Sequence, residues 1–364
     1  MLSFLKRWVV PNVTPILLIG LYGYVMYSFC HELAYKLIYL HYGLRAFYLA
    51  AVVVYSLLAA ITLALWFQLK FLADPGTFAP QQHLDNIEQT PYFLSDPYGF
   101  PLFCSSCQSY KPLRVHHSTN HGRCVVKFDH FCIFLNAVVG YANYPVFIKL
   151  LVWFTVKWLF VLIVDVIFVN RVFTVDRHVN IHLIALAIAC GFWLMLAGGL
   201  LASNLLKYIG ANFTTVEEIA KRKPSDLHLS VVDGSSRKVV KIDPDLRSSL
   251  FDTRSFKQNW NQVFYCYQDR KSGSIARTVA YILLPFFDPW FVTKTFVQNK
   301  RHAVTIWEYN AMSNVKISDE SWEIIQQKLR SDDLSQCWVS SMMSSKEMTD
   351  LESPSTADLK QRQE

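Results

Sequence analysis

Four long apolar runs, residues 13–30, 46–69, 147–169 and 183–206, divide the chain. As helices rising about 1.5 Å per residue, each crosses most or all of a bilayer's hydrocarbon core. Short links join the first run to the second, with Lys36 and Arg45, and the third to the fourth, with Arg171, Asp176 and Arg177. The runs therefore read as two helical hairpins. A cleaved leader would have a shorter apolar stretch ending in small residues, whereas the first run is rich in Tyr and ends Phe29-Cys30-His31-Glu32. It reads as a retained span. Lys157 and Asp165 interrupt the third run about two turns apart, so they share a face. Either they look into the bundle or a cavity, or they sit near an interface and snorkel.

Two long segments fall outside the runs. Residues 70–147 open with Lys70 and the turn Asp74-Pro75-Gly76, and hold half of the eight cysteines. In the tail from residue 208, Leu227 to Val232, the Asp233-Gly234 turn and Lys238 to Ile242 predict a β-hairpin. Asn259-Trp260-Asn261-Gln262-Val263-Phe264, with Tyr265 and Tyr267, forms an aromatic patch. Tyr281 to Phe291 is apolar but broken by Pro285 and Pro289, which suits packing on the bundle or lying in the interface better than a fifth span. Ser321 to Leu329 predicts a short helix with Trp322, Ile325 and Leu329 on one face. Beyond Ser331 the Ser-rich, acidic sequence has no core-forming pattern.

Composition agrees with a membrane protein: 52% of the 364 residues are hydrophobic and the mean hydropathy is +0.21. The net charge of +7 comes from scattered basic residues, so nucleic acid is not an expected partner, and anionic lipid accounts for the charge equally well. Lys6, Arg7, Lys70, Lys149, Lys207 and Lys221-Arg222-Lys223 flank the spans on the side of the termini; Lys36, Arg45, Arg171 and Arg177 lie opposite. The bias predicts cytosolic termini and a cytosolic cysteine cluster. The expected fold is an all-α polytopic membrane protein, with four transmembrane helices and a small cytosolic zinc-bound cysteine-rich domain between helices 2 and 3. Its parts are an N-terminal hairpin (1–69), the cysteine-rich segment (70–147), a second hairpin (148–207), a cytosolic C-terminal region (208–330) and a disordered tail (331–364).

The chemistry concentrates in 104–147. Cys104-x2-Cys107-x9-His117-x6-Cys124 offers three thiolates and an imidazole, the set a structural tetrahedral zinc takes. His116 and His121 are alternative nitrogen ligands. Just beyond lies Asp129-His130-Phe131-Cys132. An imidazole beside a thiol withdraws its proton, and a carboxylate on the other ring nitrogen fixes the tautomer. A neighbouring imidazolium favours the reactive thiolate. Cys132 also competes as a soft metal ligand. Its place just ahead of the third span puts it within reach of lipid-borne groups.

These residues resemble the membrane-embedded, zinc-dependent DHHC protein S-acyltransferases, and most of all a divergent fungal branch of that family. The resemblance extends through Asp74-Pro75-Gly76, Lys111-Pro112-Leu113-Arg114, Gly140-Tyr141-Ala142-Asn143-Tyr144, Asn212-Phe213-Thr214-Thr215-Val216-Glu217, Asn259-Trp260 and Gln262-Val263-Phe264. It implies zinc ligands Cys104, Cys107, His117 and Cys124, a nucleophile Cys132, a base His130 and an orienting Asp129. It implies acyl-CoA, chiefly palmitoyl-CoA, as donor, and cysteines of cytosolic or membrane-associated proteins as acceptors, with membrane lipid around the spans. The Thr-Thr-x-Glu stretch and the tail aromatics are expected to support the site.

The chain also departs from the family pattern. Ser118, His121, Phe131 and Val138 occupy the positions of a second zinc site, and Ile133, Phe134 and Ala137 replace Pro, Trp and Asn. One zinc is therefore expected, with Phe131, Val138 and Phe134 packing where the second would sit. A membrane adaptor without activity is the alternative reading. A thiol oxidoreductase using Cys104 and Cys107 is disfavoured, because no thioredoxin-like βαβ pattern surrounds the pair.

Overall fold

A computed structural model describes residues 10–80, 90–171, 180–221, 227–234, 236–264, 275–285, 303–312, 315–330 and 337–339. The apolar runs form four helices long and apolar enough to span a membrane: Ile16–His41, Arg45–Leu72, Tyr144–Phe168 and Ile181–Ile209. The first comprises α1 (Val10–Tyr27) and a continuation in wider π-helical turns, Ser28–His41. Helix α2 is Arg45–Phe67, with a π-helical end, Gln68–Leu72. Lys6, Arg7, Asp176 and Arg177 lie outside the described residues.

The first helix runs further than its apolar residues do. Glu32 should end a span, yet its buried carboxylate accepts from Tyr27 Oη (2.8 Å), Lys36 Nζ (3.0 Å) and Asn180 Nδ2 (3.2 Å), and meets His31 Nδ1 at 3.1 Å. With these polar groups satisfied, the helix continues. Inside the bundle, Phe29 stacks on Tyr55 (4.5 Å) and Trp158 on Trp193 (6.2 Å). Lys157 and Asp165 are both fully buried there. Neither snorkels, and neither has a hydrogen-bond partner among the described residues.

The expected helical membrane fold is present, and outside the bundle it is accompanied by several small sheets. The segment after α2 contributes β1 (Tyr92–Ser95), β2 (Phe103–Cys104), β3 (Ser109–Tyr110), β4 (Val115–Ser118), β5 (Arg123–Val126), β6 (His130–Cys132) and β7 (Ala137–Val139). Strands β2–β3, β4–β5 and β6–β7 pair as three antiparallel ribbons. The third and fourth spans follow, α3 (Tyr144–Arg171) and α4 (Ile181–Ser203), the latter extended by π-helical Asn204–Ile209. The short helix α5 (Thr215–Lys221) then leads to β8 (Leu227–Asp233) and β9 (Ser236–Ile242), which form the predicted hairpin.

The chain continues through α6 (Pro244–Ser249), α7 (Phe256–Phe264), α8 (Ile275–Leu283), α9 (Ile306–Ala311), α10 (Asp319–Arg330) and β10 (Cys337–Val339). β1, β8, β9 and β10 make one antiparallel sheet in that order. Strand β1 thus ties the cysteine-rich segment to the C-terminal region. Strand β10 is an exception to a structureless tail; the rest of 331–364 lies outside the described residues. Ile325 and Leu329 of α10 bury against this sheet as their spacing predicted, with Trp322 partly buried beside them.

Helices α7 and α8 dock under the bundle. Trp260, Val263, Phe264, Tyr281 and Ile282 share a core with Leu65, Leu69, Ile209 and the first turns of α3. Trp153 Nε1 donates to the Ile282 carbonyl (2.9 Å), and Lys149 lies over the Tyr281 ring. The apolar 281–291 stretch therefore packs on the bundle as far as it is described; Tyr265, Tyr267 and 286–291 lie outside.

Candidate active site

Two ribbons bring the metal-ligand set together. Cys104 ends β2 and Cys107 lies in the β2–β3 turn, which Gln108 closes at φ +50°. His117 on β4 and Cys124 on β5 are direct cross-strand partners. The four donor atoms all lie within 4.8 Å of one another. His117 Nδ1 is 3.3 Å from Cys107 Sγ and 3.6 Å from Cys104 Sγ. Those separations match the edge of a tetrahedron with Zn–S about 2.3 Å and Zn–N about 2.0–2.1 Å. The cluster can hold a zinc ion, and Cys132 is not one of its members. His117 is the nitrogen of the set. His121 instead pairs through Nε2 with Thr77 Oγ1 (2.7 Å), and Thr77 bonds Asp74 (3.0 Å).

Two of the second-site positions are brought together by β6–β7, where Phe131 faces Val138 across the ribbon. This is the apolar substitution the sequence suggested. Phe134 is not part of it: it lies in the β6–β7 turn, 46% exposed, because that turn projects from the ribbon. Cys132 faces Ala137, and packs against the core formed by Leu65, Leu69, Tyr144 and Phe147. The ribbon is pinned below the bundle by Lys70 Nζ, which donates to the Asn136 carbonyl, and by Gly140. A Cβ at Gly140 would lie 2.3 Å from the Pro75 carbonyl oxygen, so this crossing admits only glycine.

Asp129, His130 and Cys132 form one chain of contacts. The buried Asp129 carboxylate accepts from the Thr215 N–H at the start of α5 (2.6 Å) and from His130 Nδ1 (2.9 Å). With Nδ1 so occupied, Nε2 is the nitrogen left for Cys132, whose sulfur bonds the ring. The His130 ring also stands edge-on to Phe147, centroids 5.4 Å apart. Burial pushes the His130 pKa down, but Asp129 and Cys132 outweigh it and raise the ring to about 10. Burial pushes Asp129 up, yet the bonds from His130 and Thr215 hold its carboxyl below 3.8. This arrangement can take the thiol's proton and keep the imidazolium that results.

The pH dependence of stability follows. His130 titrates higher folded than unfolded, so its contribution is complete below about pH 6.5 and is lost as pH rises through about 10. Asp129 titrates lower folded, so its contribution is present above 3.8 and fades as pH falls through its depressed value. The melting temperature in detergent should decline from pH 6.5 towards 10, and Asp129→Asn should flatten that decline. An unchanged alkaline limb in the variant would show that the pair is not responsible.

Behind Asp129 lies a buried polar network that includes Glu217 of the Thr-Thr-x-Glu stretch, expected to support the site, together with Arg114, Lys127 and Asn212, to which the sequence had given no role. Arg114 binds Glu217 with Nε and Nη2, each at 2.7 Å, and also reaches the side chain and carbonyl of Asn212. Lys127 Nζ donates to Asn212 Oδ1 (2.6 Å), and Asn212 Nδ2 to Gln262 Oε1 (2.7 Å). Lys127, Asp129, Tyr144 and Thr214 line one small cavity. The spaced motifs thus converge on the carboxylate's back. Lys127 went unnoticed; its signal was a charge between apolar Val126 and Phe128. Arg114→Ala strands the Glu217 carboxylate, and should destabilise the protein by about 3–5 kcal/mol. Thermal unfolding of purified variant and wild type checks this; equal midpoints would contradict it.

Comparison with known proteins agrees with this geometry. Residues 98–222 match the DHHC palmitoyltransferase family. Palmitoyltransferase PFA5 of Candida glabrata is 30% identical over 273 residues, covering 70% of this chain and 75% of the relative. Palmitoyltransferase PFA5 of Eremothecium gossypii is 27% identical, covering 68% and 76%. The probable protein S-acyltransferase 15 of Arabidopsis thaliana is 33% identical, covering 47% and 67%. The three ribbons, Asp129 with Arg114, Lys127, Asn212 and Glu217, and the third and fourth spans fall within the family match, and the chain belongs to the DHHC palmitoyltransferases, a family of protein S-acyltransferases.

Proposed function

We propose that the chain transfers a long acyl chain, chiefly palmitoyl, from acyl-CoA to protein cysteines through a thioester on Cys132. The observation that carries this reading is the Asp129–His130–Cys132 contact chain at one end of a spanning bundle. In the first step His130 Nε2 takes the Cys132 proton, and the thiolate attacks the acyl-CoA carbonyl. A new S–C bond forms, the CoA S–C bond breaks, and the proton passes from His130 to the CoA sulfur. In the second step an acceptor cysteine loses its proton to His130, attacks the acyl-enzyme and restores the Cys132 thiol. One thioester replaces another at each step, so the task is activation and alignment rather than driving force. Asp129 and Thr215 fix the imidazole; Arg114, Lys127 and Asn212 fix Asp129's surroundings.

The spans hold the donor's hydrocarbon chain, each buried CH₂ contributing about 0.8 kcal/mol. Bound zinc would hold the ribbons, through Cys104, Cys107, His117 and Cys124, without touching the acyl group. The basic flank of Lys70, Lys149, Lys207 and Lys221 supports a cytosolic site and cytosolic termini, where a reduced nucleophile persists. The test is incubation with a labelled palmitoyl-CoA and an acceptor protein. Hydroxylamine-sensitive transfer, lost in Cys132→Ser, is expected. No transfer under lipid conditions that preserve the fold would favour an adaptor.

A further inference from the structure

Helix α7 grips the loop that follows the fourth span at two points about one turn apart. Asn259 Nδ2 donates to the Gly210 carbonyl (2.5 Å), and Gln262 Oε1 accepts from Asn212 Nδ2 (2.7 Å). Trp260, Val263 and Phe264 of the same helix are buried in the core beneath the bundle, so α7 is a fixed support. Asn212 is fully buried and its backbone is left-handed, φ +48°, a conformation that Asn tolerates but that its surroundings must hold. Its carbonyl is taken by Arg114 Nη2 (2.7 Å), and its Oδ1 receives both Arg114 Nη1 (3.1 Å) and Lys127 Nζ (2.6 Å). With two cations on the oxygen, the amide has one workable orientation, and its NH₂ must point the other way at acceptors. Those acceptors are Gln262 Oε1 at 2.7 Å and the Phe251 carbonyl at 3.2 Å. Gln262 supplies the shorter bond.

The loop carries that orientation to the catalytic residues. Just beyond Asn212, the Thr215 N–H donates to Asp129 Oδ1 (2.6 Å), whose other oxygen binds His130 Nδ1 (2.9 Å). Between them the Phe213 N–H bonds the Tyr208 carbonyl (3.0 Å) and the Thr214 N–H bonds Glu217 (2.8 Å), so the loop has little slack. A turned Asn212 amide would set its NH₂ against Arg114 and Lys127, and Lys127 lines the cavity beside Asp129. Resting on the acyl-enzyme reading above, we propose that Gln262 is a positioning residue for the acylation of Cys132. It locks the Asn212 amide, the locked loop aims the Thr215 N–H, and Asp129 is thereby held against His130.

The test is single-turnover labelling of Cys132 by palmitoyl-CoA in full-length wild type, Gln262→Met and Gln262→Glu, each also in an Asp129→Asn background. Methionine keeps the unbranched stem and removes the amide acceptor, whereas glutamate keeps an acceptor oxygen. Asn212 Nδ2 retains the Phe251 carbonyl in either variant, so zinc content and melting temperature should stay near those of wild type. Gln262→Met should acylate about ten- to a hundredfold more slowly, as a small misplacement remote from the reacting atoms can cost. Gln262→Glu should keep close to the wild-type rate. In the Asp129→Asn background no carboxylate is left to align, and Gln262→Met should add little further loss. A wild-type rate in Gln262→Met, equal slowing in Gln262→Glu, or the full loss persisting beside Asp129→Asn would overturn the positioning role and leave the acyl-enzyme intact. A Gln262→Met protein that loses zinc or melts far lower would overturn it too, by making the contact structural. Failure of wild type to label Cys132 would overturn the acyl-enzyme reading itself, and this inference with it.

Discussion

Purified protein should carry one zinc ion per chain, and Cys124→Ser should lose it together with the order of the segment around Cys132. Cys124 is 2% exposed and stands opposite His117 across β4–β5, so it joins the two halves of the ligand set. The ribbons it anchors have strands of only two to four residues, too short to hold without added constraint. A structural zinc contributes on the order of 10 kcal/mol, comparable to the whole stability of an ordinary domain. The second family site offers no comparable support: Val138 is buried, worth roughly 1.5–3 kcal/mol, Phe131 is only partly buried, and His121 is tied to Thr77. Elemental analysis gives the stoichiometry, and limited proteolysis reads the order. Two zinc ions per chain, or a Cys124→Ser protein that keeps its metal and its protease resistance, would contradict this account.

His130→Ala should slow acylation by about 10²–10⁴-fold, the usual worth of a positioned general base, while leaving the zinc content unchanged. The ring is held at two points, by Asp129 at Nδ1 and by Cys132, so its loss removes both the proton acceptor and the charge that stabilises the thiolate. Because His130 titrates near 10 in place, wild type keeps its imidazolium–carboxylate pair through neutral pH. The variant loses that support and should recover part of its rate as alkali ionises the thiol directly. Rapid-quench measurement of acyl label against pH reads both effects. A variant with the wild-type rate and pH profile would remove His130 from the mechanism.

The parts of the protein that rest on local pattern were legible from its residues. Apolar runs of bilayer length gave the four spans, and the Asp233-Gly234 turn between β-prone stretches gave the β8–β9 hairpin. Cysteines at close spacing gave Cys104, Cys107 and Cys124, with the nitrogen ligand open among His116, His117 and His121 until the family resemblance pointed to His117. What was hidden depends on partners distant in sequence. Where the first helix passes its apolar end, Asn180, the N-cap of α4, joins the local Tyr27, His31 and Lys36 on Glu32. Strand β1 is recognisable only once β8 is beside it. Asp129 is set by an N–H of Thr215, and the buried charges of Arg114 and Lys127 meet on Asn212. Phe134 misled because its neighbours in sequence are apolar, whereas the turn that carries it faces outward. Lys157 and Asp165 required a depth that no pattern of residues supplies.

The central claim is that Cys132 becomes the acyl carrier. Its most direct test is mass spectrometry of peptides from protein quenched after a single turnover with palmitoyl-CoA and no acceptor. The account predicts a hydroxylamine-labile palmitoyl adduct on the peptide containing Cys132, absent from Cys132→Ser. An adduct on another cysteine with Cys132 unmodified, or an adduct that persists in Cys132→Ser, would contradict it.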